Sequence, residues 1–464
     1  MVEFYYKFFQ KNYKSKIKQL IQDLEKLINI ENIKLSKKYE IYCDSKYIST
    51  LNDKQWQKLN QIYFTLQVNK SILSSTLLKF INKDNKDTQK FTFIDTFAGC
   101  GGLSLGVELA GFNPVFVNEI EPKFLETYYF NRDLSLDNYF CDDIKKLVDN
   151  FEQYKDKFIN TDLFIGGPPC QGFSMANRQR IIDDPRNQLY KYYLDLLTLS
   201  HPKFFIMENV KGMMNKSEEI KNNFFEKLGQ TYTIEIILLN AKDFGIPQNR
   251  ERVFVIGSRI KNAPASAIVK DIQSEKEKSQ FFNLKDALLG LSELEPKRVK
   301  NSSKLENENI GYKFKKYIYK NTPYEKYLNN NKTEYLSNHI NRYNNDRDIE
   351  IFTRLPQGQN SLHSSIEDIM PYKTRNHMFK DKYFKLDENK VSKTITSHMK
   401  MDCNMYIHPN QSRGLSPRES ARIQTFPDDY IFMGANNTWY AQIGNAVPVK
   451  LAKIIAKNIY KHLG

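Results

Sequence analysis

Cys170 is the residue whose surroundings most suggest chemistry. It lies in GGPPCQGFS (166–174), directly after the apolar run DLFI. If that run is a parallel strand, Cys170 stands at the C-terminal edge of the sheet, where such folds hold their sites. A lone cysteine is more often inert packing. The two prolines that stiffen the turn, and the loop residues Gln171, Gly172 and Ser174 that flank it, favour a nucleophile; the residues alone leave both readings open. MENV (207–210) ends a second apolar run, so Glu208 would share that edge. It is either a solvated strand end or the acid/base partner of a reactive thiol. QNRERV (248–253) puts Arg250 and Arg252 on one face of a strand, because side chains alternate. By themselves they are equally a pair of surface arginines.

A second constellation points to a ligand. FIDTFAGCGGLSLG (93–106) reads as strand, turn and helix start, and its glycines Gly99, Gly101 and Gly102 allow a tight turn and close approach of a ligand to the backbone. Glu119 ends the next strand about 20 residues on, where a carboxylate can hold two ribose hydroxyls. The turn lacks the full dinucleotide fingerprint and has no GKS or GKT, so it is not a P-loop. An adenosine-bearing ligand without a polyphosphate fits best.

These residues need a scaffold, and residues 91–260 supply its pattern. FTFIDTF, PVFVNE, DLFIGG, KFFIMEN, TIEIILLNA and RVFVIGS alternate with amphipathic stretches. That rhythm predicts a doubly wound α/β fold with a parallel sheet. Residues 1–90 read as a helical N-terminal extension. Ile17, Leu20, Ile21, Leu24, Leu27 and Ile28 share one face within 14–30, and further helical patterns run through 56–66 and 72–82. Residues 261–435, rich in Asn, Lys, Tyr and Ser, lose the rhythm and read as a second, irregular domain carrying recognition surfaces. Residues 436–464 end in an amphipathic helix expected to pack back on the α/β block.

The chain has 464 residues, with 69 Lys+Arg against 54 Asp+Glu and a net charge of +15. The excess is unevenly placed: residues 1–90 carry +8, residues 91–260 carry −4, residues 261–410 carry +7 and the rest +4. Basic flanks around a mildly acidic block suit a polyanion gripped outside the catalytic part. No stretch approaches the roughly 18 apolar residues of a membrane span. The cysteines Cys43, Cys100, Cys141, Cys170 and Cys403 are scattered and never spaced CxxC, which argues against disulfides and a zinc site and for a reducing, cytoplasmic setting.

In order and spacing together, these motifs resemble the bacterial DNA (cytosine-5)-methyltransferase family. The resemblance rests on DTFAGCGG, NE (118–119), DD (142–143), GGPPCQGFS, ENV, QNRER, RGLSPRESARIQTFPDDY (413–430) and QIGNAVPV (442–449). It covers about 91–260 and 392–463, while the part between matches a variable target-recognition region only loosely. It implies a class I S-adenosylmethionine-dependent methyltransferase fold, Rossmann-like with a mostly parallel sheet, and a smaller target-recognition domain at 261–435.

By the same resemblance, the Cys170 thiolate attacks carbon-6 of a flipped-out cytosine while Glu208 holds ring nitrogen-3 protonated. Arg252 contacts the base carbonyl, and Arg250 helps position the loop or the phosphate. S-adenosylmethionine would meet Asp95, Phe97, Gly99 and Gly101 in the first loop, Glu119 at the ribose, Asp143 or its rival Asp142 at the adenine amino group, and Pro169 and Asn445. Gln171, Ser174, Arg178, Arg180 and Arg186, in and after the Cys170 loop, and Arg413 are expected on double-stranded DNA. No metal is expected. Such enzymes usually protect a host genome, which leaves room for a separately encoded restriction endonuclease as partner.

Exocyclic-amine methyltransferases typically carry an aromatic residue where Cys170 stands. A tRNA cytosine methyltransferase is the nearest enzymatic rival, and a catalytically silent DNA-binding homologue is the alternative from another class. Intact Cys170, Glu208 and Arg252 speak against the silent homologue. A nuclease fused in residues 1–90 is disfavoured by the lack of a PD-(D/E)xK arrangement there.

Overall fold

A computed structural model of the chain describes residues 33–35, 41–43, 91–132, 134, 138–169, 189–300, 308–329, 335–371 and 382–463. Before residue 91, two short strands, β1 (Ile33–Leu35) and β2 (Ile41–Cys43), pair antiparallel. The helical patterns expected at 14–30, 56–66 and 72–82 lie outside the described residues. The described residues of that extension are these two strands, in which Ile33, Ile41 and Tyr42 have the side chains that favour extended backbone.

From Phe91 onward strands and helices alternate. The strands are β3 (Phe91–Thr96), β4 (Phe112–Asn118), β5 (Tyr139–Phe140), β6 (Leu163–Gly166), β7 (Phe204–Val210), β8 (Thr233–Asn240) and β9 (Glu251–Ser258). They form one seven-stranded sheet in the order β5-β4-β3-β6-β7-β9-β8. The β3–β4, β3–β6, β4–β5 and β6–β7 pairs are parallel. The chain winds outward from β3 through β4 to β5, then returns to place β6 on the other side of β3. The order therefore reverses between β3 and β6, and at such a switch point the loops leaving the two strands diverge and open a crevice. Asp95 pairs with Ile165 and Thr96 with Gly166 there, so both loops leave the sheet at one level.

Between the strands lie α1 (Gly102–Glu108), α2 (Pro122–Phe130), α3 (Ile144–Asp149), α4 (Leu189–Ser200) and α5 (Ser217–Leu228). Both faces of the sheet are covered, which is why its central strands read as continuous apolar runs. Phe116 packs with Ile94, Phe164, Tyr193 and Phe205 on one side. Its neighbour Val117 packs with Leu125, Tyr128 and Tyr139 in a separate cluster, as the two-residue period of a strand requires.

The chain divides into two compact units. The first comprises Met1–Ile237, Val253–Lys270 and Ala456–Gly464, and the second Leu238–Arg252 and Asp271–Ile455. Within the first, Tyr460 near the chain's end packs edge-on against Phe91 and Phe112, with ring centroids 5.1 and 5.4 Å away. The second holds an antiparallel pair, β10 (Gly311–Lys316) and β11 (Tyr335–Ile340). Its helices include α6 (Asp346–Arg354), α7 (Pro417–Ile423), α8 (Asn436–Asn445) and α9 (Val449–Tyr460), the last of which runs on into the first unit. Every residue of α7 is buried, and its start is a reciprocal capping box between Ser416 and Glu419.

Candidate active site

The first loop leaves β3 through two left-handed residues, Phe97 (φ 57°) and Gly99 (φ 58°). Among the described residues beyond the turn's own neighbours, no atom lies within 4 Å of the position a Cβ would take on Gly99, so the turn is open there. The opposite holds at Gly101 (φ 87°), where a Cβ would stand 2.6 Å from an Arg132 nitrogen. Glycine eases the backbone angle at the first position, and at the second its lack of volume is needed as well.

Glu119 follows β4 directly. One carboxylate oxygen accepts the Gly99 N–H at 2.7 Å and the other the Glu121 N–H at 2.8 Å. Burial pushes its carboxyl above the usual range, against the pull of these backbone donors. Each oxygen keeps further acceptor capacity, which suits a pair of hydroxyl donors. The loop after β5 is tied to the same place, since the Asn118 side chain donates to the carbonyls of Phe140 and Asp142 at 3.1 and 2.9 Å. Asp143 caps α3 by accepting the Lys145 N–H at 2.8 Å. Asp142 accepts from the Asp143 N–H and from Lys146; burial opposes ionisation, but these donors hold its carboxyl below the usual range.

Beyond the switch point, β6 runs into Gly167, Pro168 and Pro169. Asn209, in β7, donates its side-chain amide to the Pro168 carbonyl at 3.1 Å and pins that turn. A Cβ on Gly167 would stand 3.2 Å from an oxygen of Glu208, so the Glu208 carboxylate lies beside the loop that leads into Cys170. Pro169 is exposed. Cys170, Gln171, Ser174, Arg178, Arg180 and Arg186 lie outside the described residues.

The second unit holds the remaining expected residues. Arg252 is half-buried, with one nitrogen donating to the Glu251 carbonyl at 2.8 Å. Asn445, the last residue of α8, is exposed.

Three expectations need correction. Asp95 does not line the loop with its side chain. It is buried behind the loop, where it bonds the Ser104 hydroxyl, and burial pushes its carboxyl up to about 8. Of the two tasks expected of Arg250, positioning a loop is not contradicted, but the phosphate contact does not fit, because the guanidinium is turned inward. Arg250 is 1% exposed and donates to the carbonyls of Ile395, Gly444 and Ala446 at 2.6, 3.1 and 2.9 Å. Arg413 is no DNA contact either. It is fully buried and grips Glu419 with two nitrogens at 2.8 and 2.6 Å. Burial works against the Glu419 carboxylate, yet Arg413 holds it well below the usual carboxylate range.

Several residues around the first loop carry little signal in the sequence. Ile120, directly after Glu119, is 57% exposed and offers an apolar face at the sheet edge. Its signal was only an apolar residue following the strand's acid. Ser104, Tyr128 and Arg132 form the loop's backing. The Ser104 hydroxyl is 2.8 Å from that of Tyr128, and Arg132 lies 3.7 Å over the Tyr128 ring while bonding Glu108 and the Gly101 carbonyl. Arg132 was visible in the sequence only as one basic residue among many.

The sheet order, the glycine turn after β3 and the acid after β4 define a class I S-adenosylmethionine-dependent methyltransferase fold. A solved structure of a DNA modification methyltransferase encoded within a prophage (E. coli) matches it with a TM-score of 0.63 at 27% identity, over 80% of this chain and 99% of that one. A family model, C-5 cytosine-specific DNA methylase, matches residues 91–461, and the chain belongs to that family of DNA (cytosine-5)-methyltransferases. The type II methyltransferase M.DdeI of Desulfomicrobium norvegicum is 32% identical over 388 residues, covering 79% of this chain and 88% of the relative. The type II methyltransferase M1.HphI of Haemophilus parahaemolyticus is 30% identical over 411 residues, covering 87% and 94%.

Fold and family imply S-adenosylmethionine as methyl donor, and the residues present fit it. The turn at Gly99 is open among the described residues, Glu119 has acceptor capacity beside it, and Ile120 offers an apolar surface next to that acid. Among the described residues, no helix is long and apolar enough to cross a membrane.

Proposed function

We propose that this enzyme methylates carbon-5 of a cytosine within a short specific sequence of double-stranded DNA, through a covalent adduct on Cys170. The observation that carries this reading is the Glu208 carboxylate beside Gly167, on the loop that runs through Pro168 and Pro169 into Cys170. Carbon-5 is a poor nucleophile until the ring's aromaticity is broken. Addition of the Cys170 thiolate to carbon-6 breaks it, and Glu208 supports the addition by holding a proton on nitrogen-3. Arg252 steadies the base carbonyl. Once carbon-5 carries the methyl group, loss of its proton to a base lets the thiolate leave and restores the ring.

S-adenosylmethionine, when bound, supplies the electrophilic methyl group. Glu119 would hold its ribose, Ile120 and Asp143 its adenine, and the turn at Phe97–Gly101, with Pro169 and Asn445, the remainder. The target atom is inaccessible inside a duplex, so the base must be flipped out, at an unstacking cost of roughly a few kcal/mol. Arg178, Arg180 and Arg186 are proposed to meet DNA after Cys170, together with Gln171 and Ser174. The proposal extends to a protective role in the cytoplasm beside a separately encoded endonuclease; the type II names of the relatives accord with restriction-modification.

The test is a duplex carrying 5-fluorocytosine, whose carbon-5 has no proton to lose. Incubated with S-adenosylmethionine, the enzyme should form a denaturation-resistant complex, and Cys170→Ser should form none. A stable complex with the serine variant would overturn the nucleophile assignment.

A further inference from the structure

Helix α8 ends at Asn445, where the Ala446 N–H closes on the Ile443 carbonyl at 3.3 Å and the carbonyls after it lack intrahelical donors. The chain then runs through Ala446 and Val447 to Pro448, which has no N–H to offer. Buried side chains supply most of the missing donors. The Gln424 amide, at the C-terminal end of α7, donates to the Ile443 carbonyl at 2.8 Å and to that of Ala446 at 3.1 Å. Arg250 donates to the carbonyls of Gly444 and Ala446. Both side chains are almost wholly enclosed, while Asn445 between these carbonyls is exposed. The main chain on either side of Asn445 is thus clamped from within.

The clamp continues inward. The Gln424 side-chain oxygen accepts from Gln248 at 2.8 Å, and the Gln248 oxygen accepts the Ile395 N–H, also at 2.8 Å. Arg250 takes the Ile395 carbonyl, so both polar groups of that residue join the network. The approach is close enough that a Cβ on Gly444 would stand 2.1 Å from the Thr396 carbonyl carbon. Because every member is buried, removing one leaves its partners unsatisfied, and the backbone around Asn445 must shift to recover them.

We propose that Gln424 is a positioning residue for Asn445: by fixing the carbonyls on both sides of Asn445, it holds that side chain where cofactor is bound. The proposal rests on the reading of Asn445 as a cofactor contact. Gln424 touches no substrate; it acts through Asn445 alone, and Arg250 and Gln248 share the task.

A double-mutant cycle on the full-length enzyme tests this, with S-adenosylmethionine affinity read by calorimetry and DNA affinity and Tm measured alongside. Asn445→Ala and Gln424→Met, the latter nearly isosteric, should each weaken cofactor binding about tenfold, the worth of roughly one well-placed hydrogen bond. DNA affinity should stay within about twofold. The double variant should bind cofactor no more weakly than Asn445→Ala alone, because both changes act through one contact. If Gln424→Met does not fold, Arg250→Lys takes its place, since an ammonium cannot span the carbonyls that a guanidinium does. An additive double variant, or a Gln424→Met enzyme with unchanged cofactor affinity, would overturn the proposal. An unaffected Asn445→Ala enzyme would instead remove the cofactor reading of Asn445, and the proposal with it.

Discussion

Glu119 accepts the main-chain N–H of Gly99 at 2.7 Å, joining the acid after β4 to the turn after β3. One carboxylate therefore shapes the loop, and it is the same carboxylate that is proposed to hold the ribose. The arrangement ties loop geometry to cofactor affinity, since any change at Glu119 frees the Gly99 N–H as well.

Glu119→Ala should accordingly weaken S-adenosylmethionine binding by roughly 10–100-fold, the range expected when hydrogen bonds to a charged group are lost. DNA affinity should change little. Calorimetry with each ligand in turn checks this, and equal losses for both would point to a general disturbance of the fold.

Arg413→Ala should act on stability and leave the DNA contact alone. The pair with Glu419 is buried, and breaking such a pair from one side costs about 3–5 kcal/mol. Glu419 would be left with an uncompensated charge beside His408, 3.6 Å away. Denaturant unfolding should show the loss, while the slope of DNA affinity against salt stays that of the wild type. A shallower slope in a fully stable variant would restore Arg413 as a phosphate contact.

Asp95 predicts a pH effect. Burial raises its carboxyl to about 8 in the folded enzyme, well above its ordinary value. Between about pH 4 and pH 8 the unfolded chain ionises this group and the folded one keeps it protonated, so the folded state binds more protons and this group's contribution to stability falls as pH rises. Asp95→Asn cannot ionise. The Tm of the variant relative to wild type should therefore climb by a few degrees from pH 5 to pH 8. A constant difference would show that Asp95 is already ionised in the folded state.

The α/β core was legible because its strands are buried on both faces and its helices on one, so periodicity alone separated them. The first loop was legible because Gly99 and Gly101 satisfy backbone demands that few other residues meet, and because Glu119 follows its strand directly. Charge was a poorer guide. Arg250 and Arg413 look like any exposed arginine in the sequence, and only the carbonyls and the carboxylate brought to them from more than a hundred residues away, or from the next turn of chain, reveal them as buried. The same long-range bonding hid Gln424, whose partners lie at 248, 443 and 446. Ile120 was missed for another reason: an exposed apolar residue has no signature in a pattern that reads apolar as buried.

The proposed reaction is transfer of a methyl group to cytosine carbon-5 in DNA by way of Cys170. Its most direct test is bisulfite sequencing of an unmethylated plasmid after incubation with the purified enzyme and S-adenosylmethionine. Cytosines within one short recurring sequence should be protected from conversion, and none with Cys170→Ser. Full conversion of every cytosine by the wild-type enzyme, under conditions where it binds the cofactor, would contradict it.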